Sequence, residues 1–452
     1  MQRDWQHDKG VTECLAAFVV AMPCDALPPA VKHQAERSLM NFFAVALTGC
    51  RDATVETALA CLADFSGGRQ AALIGRPERI DAPSAAFLNA VGANVLDFCD
   101  THTPTGIHPT APIAPALLAL AELAPVSGRD LLLALVLGQE IACRVGLAIS
   151  PSHYNKGWHI TATCGVLGAA AGCGKLLGLS AEQMVWALGL GVTQAAGLCE
   201  CLGTPAKSVG VGNAARNGLL AALLASRGFS GPPEPFNGAQ GYFHALGETP
   251  DISRMTADLG GGWEILKTSY KPYPCGFVLH PVLDCVLAWR RTHPAAVVIA
   301  VEVTGNPLLA LRADRPHIST GREAQVSVQH AVAAAIVAGA AGVQQFSDAC
   351  VGDPAVAALR GKVAVKRDES IATTAAAVKI TTADRATHEL SQTAARGSES
   401  NPMSDADLEE KLRAAAASWN PRHDIGPLIE AIWQLDESEN AATLAALSVP
   451  RR

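Results

Sequence analysis

The chain has 452 residues, 49% of them hydrophobic and 17% charged, so it can bury a large core, and its length predicts two or three domains. Only 5% of the residues are aromatic, while 40 are glycine and alanine is abundant, which favours closely packed helices over a β-sandwich. The net charge of −7 excludes a general attraction to nucleic acid or to an anionic membrane, so an anionic ligand would need a local group of cations.

The cysteine pattern indicates reduced thiols rather than a disulfide framework. There are 13 cysteines, an odd number, many lie in apolar helical patterns, and no Cys-x-x-Cys occurs. The apolar run at residues 15–22 is short, and we find neither a convincing signal peptide nor a membrane-spanning segment. We therefore expect a soluble, cytoplasmic protein with no nucleic-acid or membrane partner.

The first half of the chain predicts a series of helices with one strand-like segment at residues 71–74. Residues 130–148 are almost wholly apolar, which predicts a central, buried helix. Gly165, Gly168 and Gly172 lie near one face of a later helix, where they would permit close helix contact. The predicted helices cover residues 10–64 with breaks at Pro23, Pro28-Pro29 and Gly49, and residues 83–95, 113–123, 130–148, 163–178, 180–197 and 213–226.

After Gly260 the pattern changes. Strands are predicted at residues 296–304, 362–366 and 378–382, with a helix at 328–340 between them, which indicates an α+β insert. From Ser404, a predicted N-cap with Asp407 three residues on, the pattern is helical again. Helices at both ends of the chain predict that the last part packs back onto the first domain.

The most informative segment is the polar loop at residues 96–109, which lies between two apolar helices. It contains two carboxylates, a hydroxyl and two imidazoles, from Asp97, Asp100, Thr101, His102 and His108. Rigid flanking elements can hold such groups in fixed positions for chemistry. The alternative is that these are ordinary loop and cap residues, with His108 or the following threonine starting the next helix.

Three motif-like segments carry no clear chemistry. Residues 168–176 resemble a phosphate-binding loop, but the first glycine is out of register and Leu176 replaces the Ser/Thr. Residues 210–215 are a weak echo of a dinucleotide fingerprint without a preceding strand. Cys199 and Cys201 lack metal-binding partners in the sequence, so neither a zinc site nor an iron–sulfur hydratase is indicated.

A second set of residues combines acid–base groups with cations at helix-flanking loops: His108, His159, Lys207, Lys271 and His280. Each one alone is more typical of a structural or surface residue. Together they suit a small polycarboxylate, because removing a proton beside a carboxylate creates an enolate-like dianion that needs positive charge nearby. An imidazole can transfer that proton, a carboxylate such as Asp97 can orient the imidazole or act as base, and lysines can hold the carboxylates.

The chain resembles the MmgE/PrpD family, which includes 2-methylcitrate dehydratase, cis-aconitate decarboxylase and iminodisuccinate epimerase. The likeness covers nearly the whole chain. It rests on these motifs: Asp97-Phe-x-Asp100-Thr101 with His108-Pro109, Gly157-Trp158-His159, Leu177-Gly-Leu-Ser-Ala-Glu-Gln183, Gly203-Thr204-x-x-Lys207, Asn213-Ala-Ala-Arg-Asn-Gly218, Gly228-Phe-Ser-Gly-Pro232, Lys271-Pro-Tyr-Pro-Cys275 with His280-Pro281, and Asn401-Pro-Met-Ser404.

The resemblance implies a mainly α protein: a large all-helical domain built from both chain ends, residues 1–265 and 395–452, and a smaller α+β lid domain, residues 266–394. It also implies a homodimer, a cleft between the domains, and no metal or organic cofactor. The pocket residues carried over from the family are Asp97, Thr101, His108, His159, Lys207 and Lys271, and Tyr154 matches a tyrosine of the epimerase-like members. We expect Asp97, His108, His159, Lys207 and Lys271 to be catalytic, and Thr101, Tyr154, His102 and His280 to bind substrate.

Some positions depart from the family pattern. The decarboxylases place a functional tyrosine on the lid near residues 306–316, which here contain none. Many members have Pro-Thr-Gly after the histidine of the second loop, where this chain has Ile160-Thr161-Ala162, and His330 stands where an aromatic is usual. These departures suggest a substrate other than 2-methylcitrate. Residues 306–309 look closer to the epimerase-like members.

The sequence therefore leads to a cofactor-independent lyase of the dehydratase type that acts on a small di- or tricarboxylate. His159 or Asp97 would be the base, His108 the acid toward the leaving group, and Lys207, Lys271 and Thr101 would bind carboxylates. An epimerase that reprotonates the same carbanion is the alternative, and a cis-aconitate-type decarboxylase is less favoured. A third possibility is a non-catalytic binder or scaffold with the same fold.

Overall fold

The computed structural model describes residues 10–450, which are mainly helical, as predicted. By compactness the described chain divides into two units. The larger contains the described residues up to Val95, then Cys99–Thr268 and the segment from Ser404, whereas the smaller contains Leu96–Phe98 and Ser269–Met403. The domain limits expected from the sequence stay a prediction, and their ends at residues 1–9 and 451–452 lie outside the described residues.

The larger unit is built from helices with three short strands. Its helices are α1 (Val11–Ala21), α2 (Pro29–Gly49), α3 (Ala53–Ala63), α4 (Ala82–Asn94), α5 (Thr110–Ala121), α6 (Gly128–Ile149), α7 (Ser152–Asn155), α8 (Ile160–Leu176), α9 (Ala181–Val192), α10 (Ala206–Ser226) and α11 (Tyr242–Leu246), and, after the smaller unit, α18 (Asp405–Trp419), α19 (Gly426–Trp433) and α20 (Thr443–Leu447). Its strands are β1 (Ala71–Ala72), β2 (Arg79–Ile80) and β3 (Asp100–His102).

The larger unit is therefore not all-helical. Strands β1 and β2 pair antiparallel, with Ala71 opposite Ile80. The connection between them passes through Gly75, whose φ of +73° is a conformation that favours glycine. A side chain there would also meet Cys50, with a Cβ only 2.5 Å from its sulfur. The strand-like pattern at residues 71–74 thus corresponds to a two-residue strand in a small hairpin.

Glycines allow the central helices to approach closely, as the sequence predicted. A Cβ at Gly168 of α8 would lie 2.5 Å from the carbonyl oxygen of Gly138 in α6, and one at Gly165 would lie 2.5 Å from Pro112 in α5. On the other side of α8, a Cβ at Gly218 of α10 would lie 2.4 Å from the Cβ of Ala169. Because no side chain intervenes, the helix backbones pack almost in contact, and α8 becomes the centre of the unit.

The C-terminal helices of the larger unit pack onto its N-terminal part. Helix α18 begins at the predicted cap, where Ser404 and Asp407 form a capping box. Lys411 of α18 donates to Asn41 of α2 at 2.7 Å, and Asp436 forms an ion pair with Lys32 at 2.9 Å. The two ends of the chain are thus parts of one unit.

Helix α6 is long and apolar enough to cross a membrane by length and composition alone. Of its apolar window, 94% is buried inside the structure, which is also what a core helix of a globular protein shows. This agrees with the predicted central helix at residues 130–148.

The smaller unit is a four-stranded sheet covered by helices, in the strand order β6-β5-β7-β8. Strand β5 pairs parallel with β6 and antiparallel with β7, which pairs antiparallel with β8. Its elements are α12 (His280–Thr292), β5 (Val298–Gly305), α13 (Pro307–Ala313), α14 (Gly321–Ala324), α15 (Val328–Ala338), α16 (Asp348–Val351), α17 (Pro354–Arg360), β6 (Val363–Arg367), β7 (Ala376–Thr382) and β8 (Thr387–Gln392), and strand β4 (Thr268–Tyr270) lies at its boundary.

The core of the smaller unit lies on one face of the sheet. Val301 and Val303 of β5 and Val378 and Ile380 of β7 are buried there, together with apolar residues of α12 and α15. Strand β8 was not predicted, because its sequence is polar and alternates between exposed and half-buried positions at the sheet edge. An edge strand with one solvated face carries little hydrophobic signal.

The largest differences from the predicted helix limits are at the end of α9 and at the start of α10. Helix α9 ends at Val192, earlier than the predicted Gly197, and α10 begins at Ala206, earlier than the predicted residue 213. Gly210 and Gly212 favour a loop by intrinsic propensity, but they lie inside α10, where a Cβ at Gly212 would be 2.7 Å from Phe87. Tertiary packing at these small residues overrides the low helix propensity of glycine. Because α10 starts earlier than predicted, Lys207 lies on a helix and not in a loop.

Candidate active site

The candidate residues fall into one group in each unit. Asp97, Lys271 and His280 belong to the smaller unit. The larger unit holds the remaining candidates, which are Thr101, His102, His108, Tyr154, His159 and Lys207. Each group has its own internal contacts.

His108 is half-buried at the end of the polar loop, and backbone groups fix its ring. Its Nδ1 lies 2.6 Å from the carbonyl oxygen of Asp100 and 3.2 Å from Oγ1 of Thr101. A carbonyl oxygen only accepts, so Nδ1 carries the proton in the neutral ring. In the neutral ring Nε2 is therefore the nitrogen without a proton, so it can accept one, and it can donate one when the ring is charged.

The backbone of His108 is tied to helix α8. Its amide donates to Oγ1 of Thr161 at 3.1 Å, and Thr161 lies in the first turn of α8. His159 is the N-cap residue of that same helix and is 5% exposed. The two candidate histidines thus converge on the N-terminal end of α8, where unpaired amides and the helix dipole favour negative charge.

The loop carrying His159 is held by a short antiparallel bridge between residues 157–159 and 197–199. The His159 amide donates to the carbonyl of Gly197 at 3.0 Å, and the Cys199 amide donates to the carbonyl of Gly157 at 2.7 Å. Gly197 has a φ of +140°, and a Cβ there would lie 2.7 Å from that of Ala162. Only glycine fits at this point, so the bridge fixes the backbone of His159.

Lys207 lies in the first turn of α10, and its amide donates to the carbonyl of Thr204. One turn later, a Cβ at Gly210 would be 3.3 Å from that of Ala162 in α8. The first turns of α8 and α10 are therefore neighbours, which brings the element carrying Lys207 beside the one carrying His159. The alanine at 162, where many family members have glycine, fits against Gly197 and Gly210.

Tyr154 is half-buried in the short helix α7, and its carbonyl accepts the amide of Gly157. Beside it, His153 is fully buried, with Nδ1 3.0 Å from the carbonyl of Leu246 and Nε2 2.8 Å from Oγ1 of Thr163. Burial lowers the pKa of His153, so the ring is neutral at neutral pH. The buried His153 side chain therefore holds the segment around α7 in place, whereas the side chain of Tyr154 stays partly exposed.

The substrate-binding role expected for His102, like that expected for His280, stays a prediction. The side chain is fully buried, with Nε2 3.0 Å from the carboxylate of Glu264 and Nδ1 2.8 Å from Oγ1 of Thr105. Burial lowers the pKa of His102 against the effect of Glu264, so a neutral ring donates from Nε2 and accepts at Nδ1. With both nitrogens engaged inside the protein, His102 holds the turn that leads to His108.

Glu264 belongs to a buried polar network that the sequence motifs did not predict. Its amide donates to Glu140 at 2.8 Å, and Glu140 pairs with Arg144 at 2.6 Å. Burial alone would raise the pKa of Glu264, but hydrogen bonds from His102 and Lys267 outweigh it and lower the pKa to about 2. The residue is therefore ionised and fixes His102 in place.

In the smaller unit, Asp97 and Lys271 form an ion pair. The Nζ of Lys271 lies 3.0 Å from the Asp97 carboxylate and 3.1 Å from its carbonyl oxygen, and the lysine side chain is only 4% exposed. Asp97 has a φ of +51°, which is uncommon for a residue other than glycine. A left-handed aspartate holding a buried lysine is a strained arrangement of the kind that clusters at functional sites.

His280 begins helix α12 and is fully buried. Its Nε2 lies 3.3 Å from the carbonyl of Cys275, and its ring packs edge-on against Tyr273. Tyr273 in turn donates to Asp284 at 2.7 Å. These contacts link the helix start to the segment that follows Lys271, so they give His280 a structural function within the unit.

Within residues 10–450, no group of three or more His, Cys, Asp or Glu side chains is arranged to hold a metal ion. His330, singled out as a departure, is buried with Nε2 2.7 Å from the carbonyl of Gln345. Burial lowers its pKa, which leaves a neutral ring inside the core of the smaller unit.

Comparison with known proteins places this chain in a family. The family model of the MmgE/PrpD N-terminal domain matches residues 13–255, and the family model of the MmgE/PrpD C-terminal domain matches residues 273–435. The chain belongs to the MmgE/PrpD family. The resemblance inferred from the sequence motifs is confirmed.

Among its relatives in the MmgE/PrpD family are proteins named cis-aconitate decarboxylase. Those of Mus musculus and Homo sapiens are each 27% identical to this chain, over 97% of it and over 93% and 94% of their own lengths. A cis-aconitate decarboxylase of Aspergillus terreus is 29% identical over 64% of this chain and 62% of its own length. The family thus includes enzymes that act on carboxylates.

Proposed function

We propose that this MmgE/PrpD protein is a lyase that acts on a small di- or tricarboxylate through a carbanion formed beside a carboxylate. The observation that carries the proposal is the convergence of His108 and His159 on the first turn of α8, beside the start of α10 with Lys207. Two proton-transfer groups and a cation at a helix N-terminus suit an anionic substrate that gains charge during the reaction.

In this proposal His159 removes the proton, and His108 in its charged form gives the proton on Nε2 to the leaving group. The neutral ring that remains is protonated at Nδ1, which is the form that the Asp100 carbonyl stabilises. An imidazole transfers protons well at neutral pH because its ordinary pKa lies near neutrality. Lys207 and Thr101 bind the substrate carboxylates together with the amides at the start of α8. Tyr154, half-buried in helix α7 five residues before His159, contributes a hydroxyl donor.

The motif resemblance also assigns Lys271 to carboxylate binding, and within the smaller unit Asp97 orients its ammonium group. The sequence left Asp97 open as the base, but the ion pair favours another role for its carboxylate. A carboxylate neutralised by an ammonium group 3.0 Å away is a weaker proton acceptor than an imidazole. The proton-abstracting role therefore goes to His159.

Dehydration, with departure of a β-hydroxyl, is the leading chemistry. It is supported by the absence of tyrosine from α13 and its flanks, residues 306–316, where the decarboxylases carry a functional one. Decarboxylation is the second candidate, because the relatives of Mus musculus, Homo sapiens and Aspergillus terreus carry that activity in their names. None of these three is named as an epimerase.

The test is a panel of citrate-, aconitate- and aspartate-derived acids incubated with the protein and followed by mass spectrometry. Loss of water supports dehydration and loss of carbon dioxide supports decarboxylation. A deuterium label at the α-carbon with no other change in mass would overturn the lyase in favour of an epimerase. His159→Gln should abolish turnover of whichever acid reacts, and the buried His330→Gln serves as the control that leaves the N-terminus of α8 untouched.

We also propose that the protein is a cytoplasmic homodimer that needs no metal or organic cofactor. The support is the resemblance of its motifs to the MmgE/PrpD pattern, together with the cysteine content. Light scattering of the purified protein would measure the mass of the assembly, and turnover after dialysis against a chelator would test the independence from metal. A monomeric mass would contradict the proposed homodimer. Activity that returns only when metal is added would contradict the proposed independence from metal.

A further inference from the structure

Asp100 has a carboxylate that the proposed chemistry does not use, although it belongs to the most informative motif of the sequence. The residue is 1% exposed. Its Oδ2 accepts a hydrogen bond from Oγ1 of Thr110 at 2.5 Å and a longer one from the Thr110 amide at 3.4 Å. Such a buried carboxylate is costly unless it has a specific partner.

Thr110 begins helix α5, so Asp100 acts as the cap that this helix otherwise lacks. The N-cap position is Pro109, which makes no side-chain hydrogen bond. The hydroxyl of Thr110 in turn accepts a hydrogen bond from Nε2 of Gln139 in α6 at 2.9 Å, and Gln139 is fully buried. A chain of hydrogen bonds therefore runs from α6 through the start of α5 to Asp100.

The same residue, Asp100, holds His108 through its backbone. Its carbonyl oxygen is the acceptor 2.6 Å from Nδ1 of His108. The hydroxyl of Thr101, 3.2 Å from the same nitrogen, can donate or accept and so is compatible with a proton on either ring nitrogen. The carbonyl can only accept, so the orientation of the Asp100 peptide group decides which nitrogen carries the proton.

We propose that Thr110 and Asp100, backed by Gln139, are positioning residues that fix the peptide group of Asp100 and thereby the tautomer of His108. The consequence for turnover rests on the proposed function, whereas the consequence for the tautomer does not. Without the Thr110 hydroxyl, the Asp100 carboxylate loses its side-chain partner and the peptide group can turn. The ring of His108 can then accept from Thr101 at Nδ1 and carry its proton on Nε2.

The experiment compares Thr110→Val, which has nearly the same shape but no hydroxyl, with Thr110→Ser, which keeps it. The tautomer is read from nitrogen-15 NMR of protein labelled at histidine, with the His108 signal assigned by its loss in His108→Gln. The unmodified protein and Thr110→Ser should show His108 protonated at Nδ1. Thr110→Val should move the signal toward the Nε2-protonated form, and an unchanged signal would overturn the proposal.

Turnover provides a second readout. Thr110→Val should lower kcat by about 10- to 100-fold with little change in KM, because a misplaced catalytic group affects the transition state more than binding. Thr110→Ser should restore it. If Thr110→Val does not fold, Asp100→Ala replaces it, because it removes the acceptor of the Thr110 hydroxyl, and it should shift the His108 tautomer in the same direction.

The two proposals can fail separately. If His108→Gln retains full turnover while Thr110→Val still changes the tautomer, the proposed role of His108 in the reaction fails and the positioning inference stands. If His108→Gln is inactive but neither Thr110→Val nor Asp100→Ala alters the tautomer, the positioning inference fails and the proposed function stands.

Discussion

At the scale of single residues, identity alone says little about role. His102, His108, His153 and His159 lie near one another in the larger unit, yet two of them are fully buried with both ring nitrogens engaged by protein partners. His108 keeps Nε2 as its reactive nitrogen because Nδ1 is held by a carbonyl. Contacts therefore separate anchoring histidines from those suited to proton transfer.

We expect substitutions of the two members of the Asp97–Lys271 ion pair to lower activity by different amounts. Lys271→Met should abolish measurable turnover, because it removes a proposed carboxylate-binding cation and leaves Asp97 without its ammonium partner. Asp97→Asn should lower kcat/KM less, since the amide can still orient Lys271 by a hydrogen bond. Steady-state kinetics on the reacting acid would measure both. Equal losses in the two variants would contradict the role of Asp97 as a positioning group.

Glu264 makes a prediction about pH and stability. Its pKa in the folded protein is lowered to about 2, below the ordinary 4.5, so ionised Glu264 stabilises the fold at neutral pH. That contribution is complete above about pH 4.5 and is lost as the pH falls toward 2. Glu264→Gln should therefore reduce the free energy of unfolding at pH 7 by roughly 3 kcal/mol, because each unit of the pKa difference is worth about 1.4 kcal/mol.

The measurement for Glu264 is urea unfolding of the variant and the unmodified protein at several pH values. Their difference in the free energy of unfolding should shrink as the pH is lowered from 5 toward 3. A difference that stays constant over this range would show that the carboxylate charge is not the source of the stabilisation.

At the scale of helices and loops, glycine placement decides which elements meet. Gly138, Gly168 and Gly218 let α6, α8 and α10 pack with their backbones almost touching. Gly197 plays the same part for a loop, since it brings residues 197–199 against the segment that carries His159. The position of His159 thus depends on residues that carry no chemistry.

Gly197→Ala should impair activity more than folding. Its Cβ would lie 2.7 Å from the Cβ of Ala162, so the bridge to His159 must shift. Gly228→Ala is the matched control, since Gly228 also has a positive φ, +86°, but a Cβ there meets nothing within 4 Å. Both variants should lose about 1 kcal/mol through backbone strain, but only Gly197→Ala should lose turnover, by about 100-fold.

Thermal unfolding and kinetics of the two glycine variants would be compared side by side. The melting temperatures should fall by similar amounts while the turnover numbers diverge. Equal activity in Gly197→Ala and Gly228→Ala would show that the bridge between residues 157–159 and 197–199 does not position His159.

At the scale of the whole molecule, the C-terminal helices of the chain pack against its N-terminal part. Helices α18 and α19 pack on α2, with Leu408 and Leu412 fully buried and Trp419 donating to the carbonyl of Gly75 at 2.8 Å. Residues separated by most of the sequence therefore share one core. Their stability is inseparable from that of the larger unit.

A chain that ends at Met403 should fail to form a stable larger unit. The loss of α18–α20 would expose the apolar surface of α2 that these helices cover, at a cost of several kcal/mol. Circular dichroism should show lower helicity, and binding of a hydrophobic dye should show that apolar surface is exposed in a partly folded state. A chain ending at Pro450 is the control, and native-like melting of the shorter chain would contradict the interdependence of the two ends.

The sequence predicted most helices because apolar periodicity and caps act locally. Ser180 and Ser404 both form the capping boxes that mark the starts of α9 and α18. It did not predict β8, whose edge position leaves a polar pattern, or the early start of α10, where packing overrides the propensity of glycine. Local signals fail where the decisive contacts lie elsewhere in the chain.

The chemistry of the candidate site was visible in the sequence because its residue types recur in recognisable motifs, and these sufficed to identify the family. What only the tertiary structure decided was the partner of each group: Glu264 for His102, Thr161 and Asp100 for His108, and Lys271 for Asp97. A motif records residue type and spacing along the chain. Protonation and orientation depend on neighbours in space, many of them more than 50 residues away, as with Thr161 and His108.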